Sequence, residues 1–495
     1  MTPNPTEDVA LSPIPRPPGI PLLGHLPLAF LYGRNGMVQV MMRTAKAQGP
    51  IFQLDIPHRN PIFLCGHALV KEILDERRFE KNVSPPLKEV RTFSGDGLFT
   101  AYNDEPNWRT AHNVLMPGFG MKSIKTYYPA MLNMAKRLVA HWERSAKQGI
   151  AVDVSADMTR LTFDTIGLCG FDQDFGSFER QEPHAFVQAM VEGLRGAMHR
   201  LHQPQLMRKL MGAAERRYQS RAGVLHDVVD KVIAERRASG ERKADFLDLM
   251  LHSEDPRDGR KLDDINIRYQ VLTLLIAGHE TTSGLLSFAL YHLVKHPELL
   301  TRLRAEVDEV LGNRWPEFED IAQLNYTRQV LLETLRLWPT APAFSRTSKE
   351  SFVLGGRYKI EAKRNLIVFL AALHRDPEVW GKDAERFDPE RFTPEAIKAR
   401  PSTAFRPFGT GKRACIGRQF ALIEATLALA VVVGRFKLHD FDHYKLEIEE
   451  TLTVKPKDFR LKVTPRTDRP NGPGKNRPEE TQKPAAAGCP VHSKP

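Results

Sequence analysis

The residues best suited to do chemistry stand together in Phe408-Gly409-Thr410-Gly411-Lys412-Arg413-Ala414-Cys415-Ile416-Gly417. Two glycines before a cysteine and one after it let the backbone turn tightly and approach a flat ligand closely. The apolar stretch from Ile416 to Leu429 predicts a helix that begins just after the sulfur. Amide donors at a helix start favour an anion and lower a thiol's pKa. A thiolate held in this way is the electron-donating ligand that a heme iron needs for O–O cleavage. An isolated cysteine is more often a buried, inert thiol. The glycine pattern, which has no obvious packing purpose, and Arg413, placed where it can pair a propionate, favour the ligand reading.

Three further groupings carry less information when taken alone. Glu333 and Arg336 are three apart, so on a helix their carboxylate and guanidinium share a face, as many solvated surface pairs do. In Ala277-Gly278-His279-Glu280-Thr281-Thr282, polar residues interrupt an apolar run, which costs stability in a buried helix unless they find partners. Mid-helix threonines often bond their own carbonyls, so a simple polar kink remains open here. Trp108 and His112 are four apart and offer two N–H donors on one helical face; a core tryptophan and a surface histidine are the plainer reading.

The elements that must position these residues are mostly helical. Apolar residues recur at helical spacing over 127–147, 183–200 and 221–237. The longest helical pattern runs from Asp263 or Asp264, a suitable cap, to His296, before Pro297. About 30 residues at 1.5 Å each reach about 45 Å, enough to cross a domain. A short strand is expected at Ile62-Phe63-Leu64-Cys65, a hairpin over Phe352–Ile360 around Gly355-Gly356, and a strand at Leu366–Leu370. Residues 1–20 form a proline-rich lead-in, and 465–495 have the composition of a disordered tail or linker stump. Between them, 21–464 is expected to be one large domain.

Composition narrows the class further. The 495 residues carry 71 basic and 60 acidic side chains, a formal net charge of +11 that is spread along the chain. With no compact basic block interleaved with aromatics, nucleic-acid binding is not expected. Four cysteines without a CxxC pair argue against a disulfide framework or a zinc ribbon, and fit a reducing, cytoplasmic setting. No signal peptide is evident, and no window of about 18 apolar residues predicts a transmembrane segment.

The loop Phe-Gly-x-Gly-x-Arg-x-Cys-x-Gly resembles the heme-binding signature of the cytochrome P450 superfamily, with seven fixed positions in ten residues. Glu333-Thr334-Leu335-Arg336 and Pro389-Glu390-Arg391-Phe392 are similar to two further family elements, in family order and spacing. The resemblance implies a mainly α fold with small β-sheets and heme b ligated by Cys415. Phe408, Arg413, Trp108 and His112 would contact the cofactor, and Glu333, Arg336 and Arg391 would form a buried network behind it. It makes Glu280 and Thr281 the acid–alcohol pair that delivers protons where oxygen is reduced, with Gly278 loosening the helix beside them.

From about Pro21 to Val463 the chain resembles the heme domain of bacterial fused flavocytochrome fatty-acid hydroxylases. The strings Gly95-Asp96-Gly97-Leu98-Phe99-Thr100, 158–171, 276–290 and 335–345 carry that likeness. It implies O2-dependent subterminal hydroxylation of a medium- to long-chain fatty acid, with Phe99, Ala277, Ala341 and Ala343 lining the substrate pocket. Arg59 would meet the substrate carboxylate at the channel mouth. Phe63 stands where the group has a tyrosine, so one hydrogen bond, worth about 0.5–1.5 kcal/mol, is missing. Pro85-Pro86 would stiffen the segment before Phe99. Electrons would come from NADPH, through C-terminal flavin domains missing here or a separate flavodoxin, ferredoxin or reductase docking on Arg406, Lys412, Arg413 and Arg418. Two rivals are a peroxide-dependent peroxygenase of the same fold and a non-catalytic heme sensor; neither needs the Glu280-Thr281 pair. Cys489-Pro490 in the tail resembles Cys-Pro heme-contact sequences, but a tail cysteine is usually just exposed.

Overall fold

A computed structural model describes residues 11–20, 24–25, 36–56, 60–180, 182, 184–200 and 212–470. Arg59 and Cys489 lie outside these residues, so the expectations placed on them meet no structural test. The helices of eight or more residues are numbered here along the chain. They are α1 (Met37–Gln48), α2 (Pro85–Ser94), α3 (Asn107–Leu115), α4 (Met121–Gln148), α5 (Val154–Phe171) and α6 (Ala185–Arg200). After them come α7 (Gly212–Ser239), α8 (Asp264–Lys295), α9 (Pro297–Leu311), α10 (Asn325–Leu337) and α11 (Arg418–Arg435). The central element is α8, 32 residues long. Asp263 caps it by accepting the Asn266 amide at 2.7 Å, and Pro297 opens the next helix. Most of α8 is buried on every side, as expected of a helix enclosed by others. It packs on α5, α10 and α11.

The sheets are small. β1 (Ile51–Gln53), β2 (Ile62–Leu64) and β3 (Phe79–Lys81) join β5 (Ala343–Ser348) and β8 (Leu366–Phe369) in the order β1-β2-β8-β5-β3. Only the β2–β8 pair there is parallel. β4 (Val152–Asp153), β12 (Arg460–Pro465) and β9 (Phe436–Asp440) form a second, antiparallel sheet. Two hairpins complete the set: β6 (Phe352–Leu354) with β7 (Tyr358–Ile360), and β10 (Ile448–Glu450) with β11 (Val454–Pro456). The expected hairpin and the strands at 62 and 366 are therefore present. Pro85 and Pro86 fill the first turn of α2, the helix that precedes the Phe99 segment, where a missing amide hydrogen costs nothing.

One continuous apolar core joins α3 to α11, and a smaller one lies under the five-stranded sheet. Phe63 belongs to a third cluster, stacked on Phe52 at 4.8 Å and edge-on to Phe369 at 6.0 Å. The chain stays attached past the expected boundary at 464. Arg466 pairs with Asp308 at 2.7 Å, and Arg469 donates to the Gly312 carbonyl at 3.1 Å. Among the described residues, no helix is long and apolar enough to cross a membrane.

Candidate active site

The cysteine loop is a tight backbone turn. Cys415 donates its amide to the Phe408 carbonyl at 2.8 Å, and Gly411 adopts a φ of 67°, open mainly to glycine. Glu76, from the segment before β3, accepts the Lys412 amide on both carboxylate oxygens at 3.1 Å. A Cβ on Gly411 would sit 1.9 Å from that carboxylate, so glycine here is also a requirement of packing. The helix starts three residues after the sulfur, at Arg418. Cys415 is exposed, whereas Cys65 and Cys169 are buried. Burial by the surrounding walls nevertheless raises its thiol pKa, against the Gly417 amide and the nearby Arg418. That corrects the expected lowering: the helix start alone does not outweigh desolvation, and a bound metal cation would have to complete the stabilisation.

Beside the loop lies a group of cations. The Arg413 guanidinium stacks over the Trp108 ring, 3.9 Å from its centre, and donates to the Tyr102 carbonyl at 3.0 Å. Trp108 and His112 are neighbours on α3 with ring centres 5.1 Å apart, as their spacing requires. Lys81 at the end of β3 bonds the Phe99 carbonyl, and Arg346 on β5 reaches Thr410 at 3.3 Å and Glu76 at 3.5 Å. Burial and then the neighbouring Arg413, Arg346 and Arg91 push Lys81 down to about 7. The same burial holds Arg413 at about 10. Three arginines (Arg91, Arg346 and Arg413) and the partly protonated Lys81 thus meet two paired carboxylates, Glu76 and Glu105, and the Arg346 Nε is buried without a partner. This excess of positive charge suits an anionic ligand. Sequence reasoning missed Lys81, Arg346 and Glu76, which reach the loop only through long-range pairing of β3 with β5.

Of the four residues expected to form a docking patch, Lys412 and Arg418 are exposed, Arg406 and Arg413 only partly. Glu76 adds a negative charge beside Lys412, and the Arg418 guanidinium lies 5.5 Å from the Phe408 ring centre.

Glu333 and Arg336 on α10 are fully buried and joined by two bonds of 2.7 Å. The Asp388 amide also bonds Glu333, at 2.8 Å, while Arg336 donates to the carbonyls of His374, Ala384 and Arg386. Arg391 joins more loosely, 3.9 Å from Glu333, and takes Asp383 at 2.9 Å as its nearer partner.

On α8, Ala277 is exposed and Gly278 and Thr281 partly so, although the residues around them are buried. At spacing i, i+4 this leaves one stripe of α8 without the cover its neighbours have. Thr281 donates to the Ala277 carbonyl at 2.8 Å, the back-bond that was open as a possibility. Glu280 points elsewhere: it accepts from Thr453 Oγ1 at 3.1 Å and from Thr451 Oγ1 at 3.5 Å, on the β10–β11 turn. Burial raises its pKa, partly opposed by Lys455 and the threonine hydroxyls. The acid and the alcohol are thus adjacent in sequence but do not bond each other. Ala341 is exposed, and Phe99 and Ala343 are half-buried. Phe99 is set by the turn before it: a Cβ on Gly97 would lie 2.0 Å from Thr273 Oγ1 of α8. The Leu98 amide then bonds Gln270 Oε1 at 2.9 Å.

An exposed cysteine, an uncovered helix stripe and an excess of cations together fit a flat, iron-centred macrocycle with acidic side arms. Cys415 would be its ligand, and Arg413, Trp108, His112 and Lys81 would meet the arms.

Comparison with known proteins agrees. The family model described as Cytochrome P450 matches residues 14–463. The chain is 48% identical over 456 residues to the bifunctional cytochrome P450/NADPH–P450 reductase 1 of Bacillus subtilis, covering 92% of this chain and 42% of that protein. It is 46% identical over 458 residues to the bifunctional enzyme of Bacillus cereus (92% and 42%), and 40% identical over 458 residues to that of Fusarium oxysporum (91% and 42%). The chain therefore spans less than half the length of these relatives.

Proposed function

The chain belongs to the cytochrome P450 family, and on that premise we propose that it hydroxylates a medium- to long-chain fatty acid at a subterminal carbon. Heme bound by Cys415 supplies the oxidant, with O2 as co-substrate and electrons passed from NADPH by a flavoprotein or a ferredoxin reductase. The chain's own residues bind, orient and supply protons. Phe99, Ala277, Ala341 and Ala343 surround an alkyl chain and limit how it approaches. The Thr281 hydroxyl, released from its back-bond, orients a proton donor, and Glu280, whose burial favours the protonated form, replenishes it. Arg413, Trp108, His112 and Phe408 hold the cofactor, and the Glu333–Arg336 network with Arg391 keeps the loop's supporting wall rigid. Lys412 and Arg418 offer positive charge to an acidic electron donor.

The observation that carries this reading is the exposed residue Cys415, in its glycine turn, in a protein whose other described cysteines are buried. The first test is the reduced, carbon monoxide-bound spectrum. The wild type should show the red-shifted band of sulfur-ligated heme, and Cys415→Ala should lose it. The second is a titration with saturated fatty acids of graded length, followed by the heme spin state; no response at any length overturns the substrate proposal. Turnover with NADPH and a reductase should exceed turnover with peroxide, the reverse of a peroxygenase.

A further inference from the structure

A cavity of about 550 Å³ lies beside the Glu333–Arg336 network, where Trp380, Arg391 and Arg400 meet. Val379, Ala396 and Ala399 give it apolar walls, and Glu378 is its one carboxylate. Apart from Arg391, none of these residues takes part in the site described above. The local sequence sets the arginine in place. Thr393 caps the short helix Pro394–Ala399 by accepting the Ala396 amide at 3.3 Å. Pro401 disfavours a helical conformation in the residue before it, so the helix stops and Arg400 turns extended, with φ −96° and ψ 145°. Its guanidinium then lies 4.2 Å from the ring centre of Trp380 and 4.9 Å from that of Phe392.

The arginines of this wall are not equally provided for. Arg336 has Glu333 at 2.7 Å, and Arg375 and Arg391 have Glu385 and Asp383, each at 2.9 Å. Among the described residues Arg400 has no ion-pair partner; one of its Nη atoms donates to the Arg391 carbonyl at 2.9 Å, and its other nitrogens bond nothing. Burial holds it down to about 10; Glu333 opposes this, while Arg336 and Arg391 add to the fall. Two more donors are unmet nearby. Trp380 is 3% exposed, and its indole Nε1 is buried with no hydrogen-bond partner. Arg391 Nε is in the same condition, 3.9 Å from Glu333 and too far to bond it. The cavity thus gathers donors and lacks acceptors.

We propose that this cavity binds a small monocarboxylate with a compact apolar body, the carboxylate taken by Arg400 and the body by Val379, Ala396 and Ala399. A guanidinium offers parallel N–H bonds to a planar carboxylate, and stacking on an indole fixes its plane beforehand. The volume falls within the roughly 300–1,000 Å³ typical of small-molecule sites. A purely hydrophilic anion would leave the alanine wall unused, and a neutral ligand would leave the guanidinium without a counter-charge. Trp380 also carries the Arg336 guanidinium, 5.0 Å from its ring centre, so a bound acid rests against the Glu333–Arg336 wall and stiffens it. The proposal does not rest on the fatty-acid reading and holds or fails whatever the substrate is.

The test uses the heme-loaded protein, reduced and bound to carbon monoxide so that it is diamagnetic, with nitrogen-15 in its tryptophans. The probes are benzoate and hexanoate. The signal is the indole N–H resonance of Trp380, identified by its loss in Trp380→Phe. At least one acid should shift it saturably, with a midpoint in the roughly millimolar range expected of so small a ligand. The same acid should raise the melting temperature by mass action. Benzamide and hexanamide, which lack the charge, should bind at least about tenfold more weakly, and so should the acids to Arg400→Gln. Ala396→Phe, which keeps the arginine and fills the cavity, should abolish the shift, so the proposal stays testable if Arg400→Gln folds poorly. The heme absorption of the same samples should not move. No response to either acid overturns the proposal. So does equal binding of the amides, or undiminished binding by both variants. A heme spectrum that changes in step with the tryptophan signal places the probe in the substrate pocket and overturns it too.

Discussion

Glu333 and Glu280 are both buried glutamates on helices, and burial pushes both carboxyls up. Their surroundings differ in kind. Glu333 is met by a guanidinium through two bonds and by a backbone amide, all from groups that cannot leave without opening the core. Glu280 is met by two hydroxyls on one turn, and its nearest cation, Lys455, makes no direct bond to it. The first arrangement fixes a charge and makes a wall. The second holds a carboxyl by two neutral ties, weak enough to suit the proton-supplying role proposed for it. A buried carboxyl is a structural part or a working part according to what meets it.

The comparison is broken most directly by conservative amides. Glu333→Gln leaves the Arg336 guanidinium buried without its counter-charge and should cost about 3–5 kcal/mol of stability, read from denaturant unfolding. Equal costs for Glu333→Gln and Glu280→Gln would remove the distinction.

A third buried carboxyl, Glu424 on α11, sharpens it. Desolvation raises it to about 8, with both oxygens lacking any partner in hydrogen-bond geometry, although the Thr165 hydroxyl nearby opposes the rise. An acid whose pKa is raised by folding binds its proton more tightly in the folded state. Its stabilising effect is complete below the ordinary value of 4.5 and declines as pH climbs toward about 8. Stability should therefore fall through that window with a slope of up to about 1.4 kcal/mol per pH unit, and Glu424→Gln should flatten it. Melting curves at stepped pH measure both.

Thr281→Ala should leave folding intact and divert electrons, raising peroxide release per NADPH roughly tenfold, less than the roughly 10²–10⁴-fold that a complete loss of proton transfer would cost. The smallest effect belongs to Thr453→Val. Losing one neutral hydrogen bond to Glu280 should cost about 0.5–1.5 kcal/mol and raise the carboxyl's pKa further, seen in the titration of its infrared band.

The sequence was most legible where chemistry is local. The cysteine loop, the Glu333–Arg336 spacing, the Trp108–His112 face and the Asp263 cap are all set within ten residues, and the structure forms each of them. It was least legible where the partner is distant. Glu76 holds the Lys412 amide across 336 positions, and Thr453 draws Glu280 aside across 173. No local pattern announces such contacts; they follow only from how sheets and helices assemble. The thiol expectation missed for a related reason: a helix start can be read locally, whereas the desolvation that opposes it depends on every wall of the site.

The close seat of Gly97 against Thr273 has a consequence for variation. A methyl group there would collide with the central helix, so the backbone path into Phe99 cannot be retuned by exchanging that residue. Changes in selectivity along this stretch are left to the side chains that follow, Leu98 and Phe99 above all. A library randomised over 97–99 should return active members that keep the glycine and differ in the two bulky neighbours.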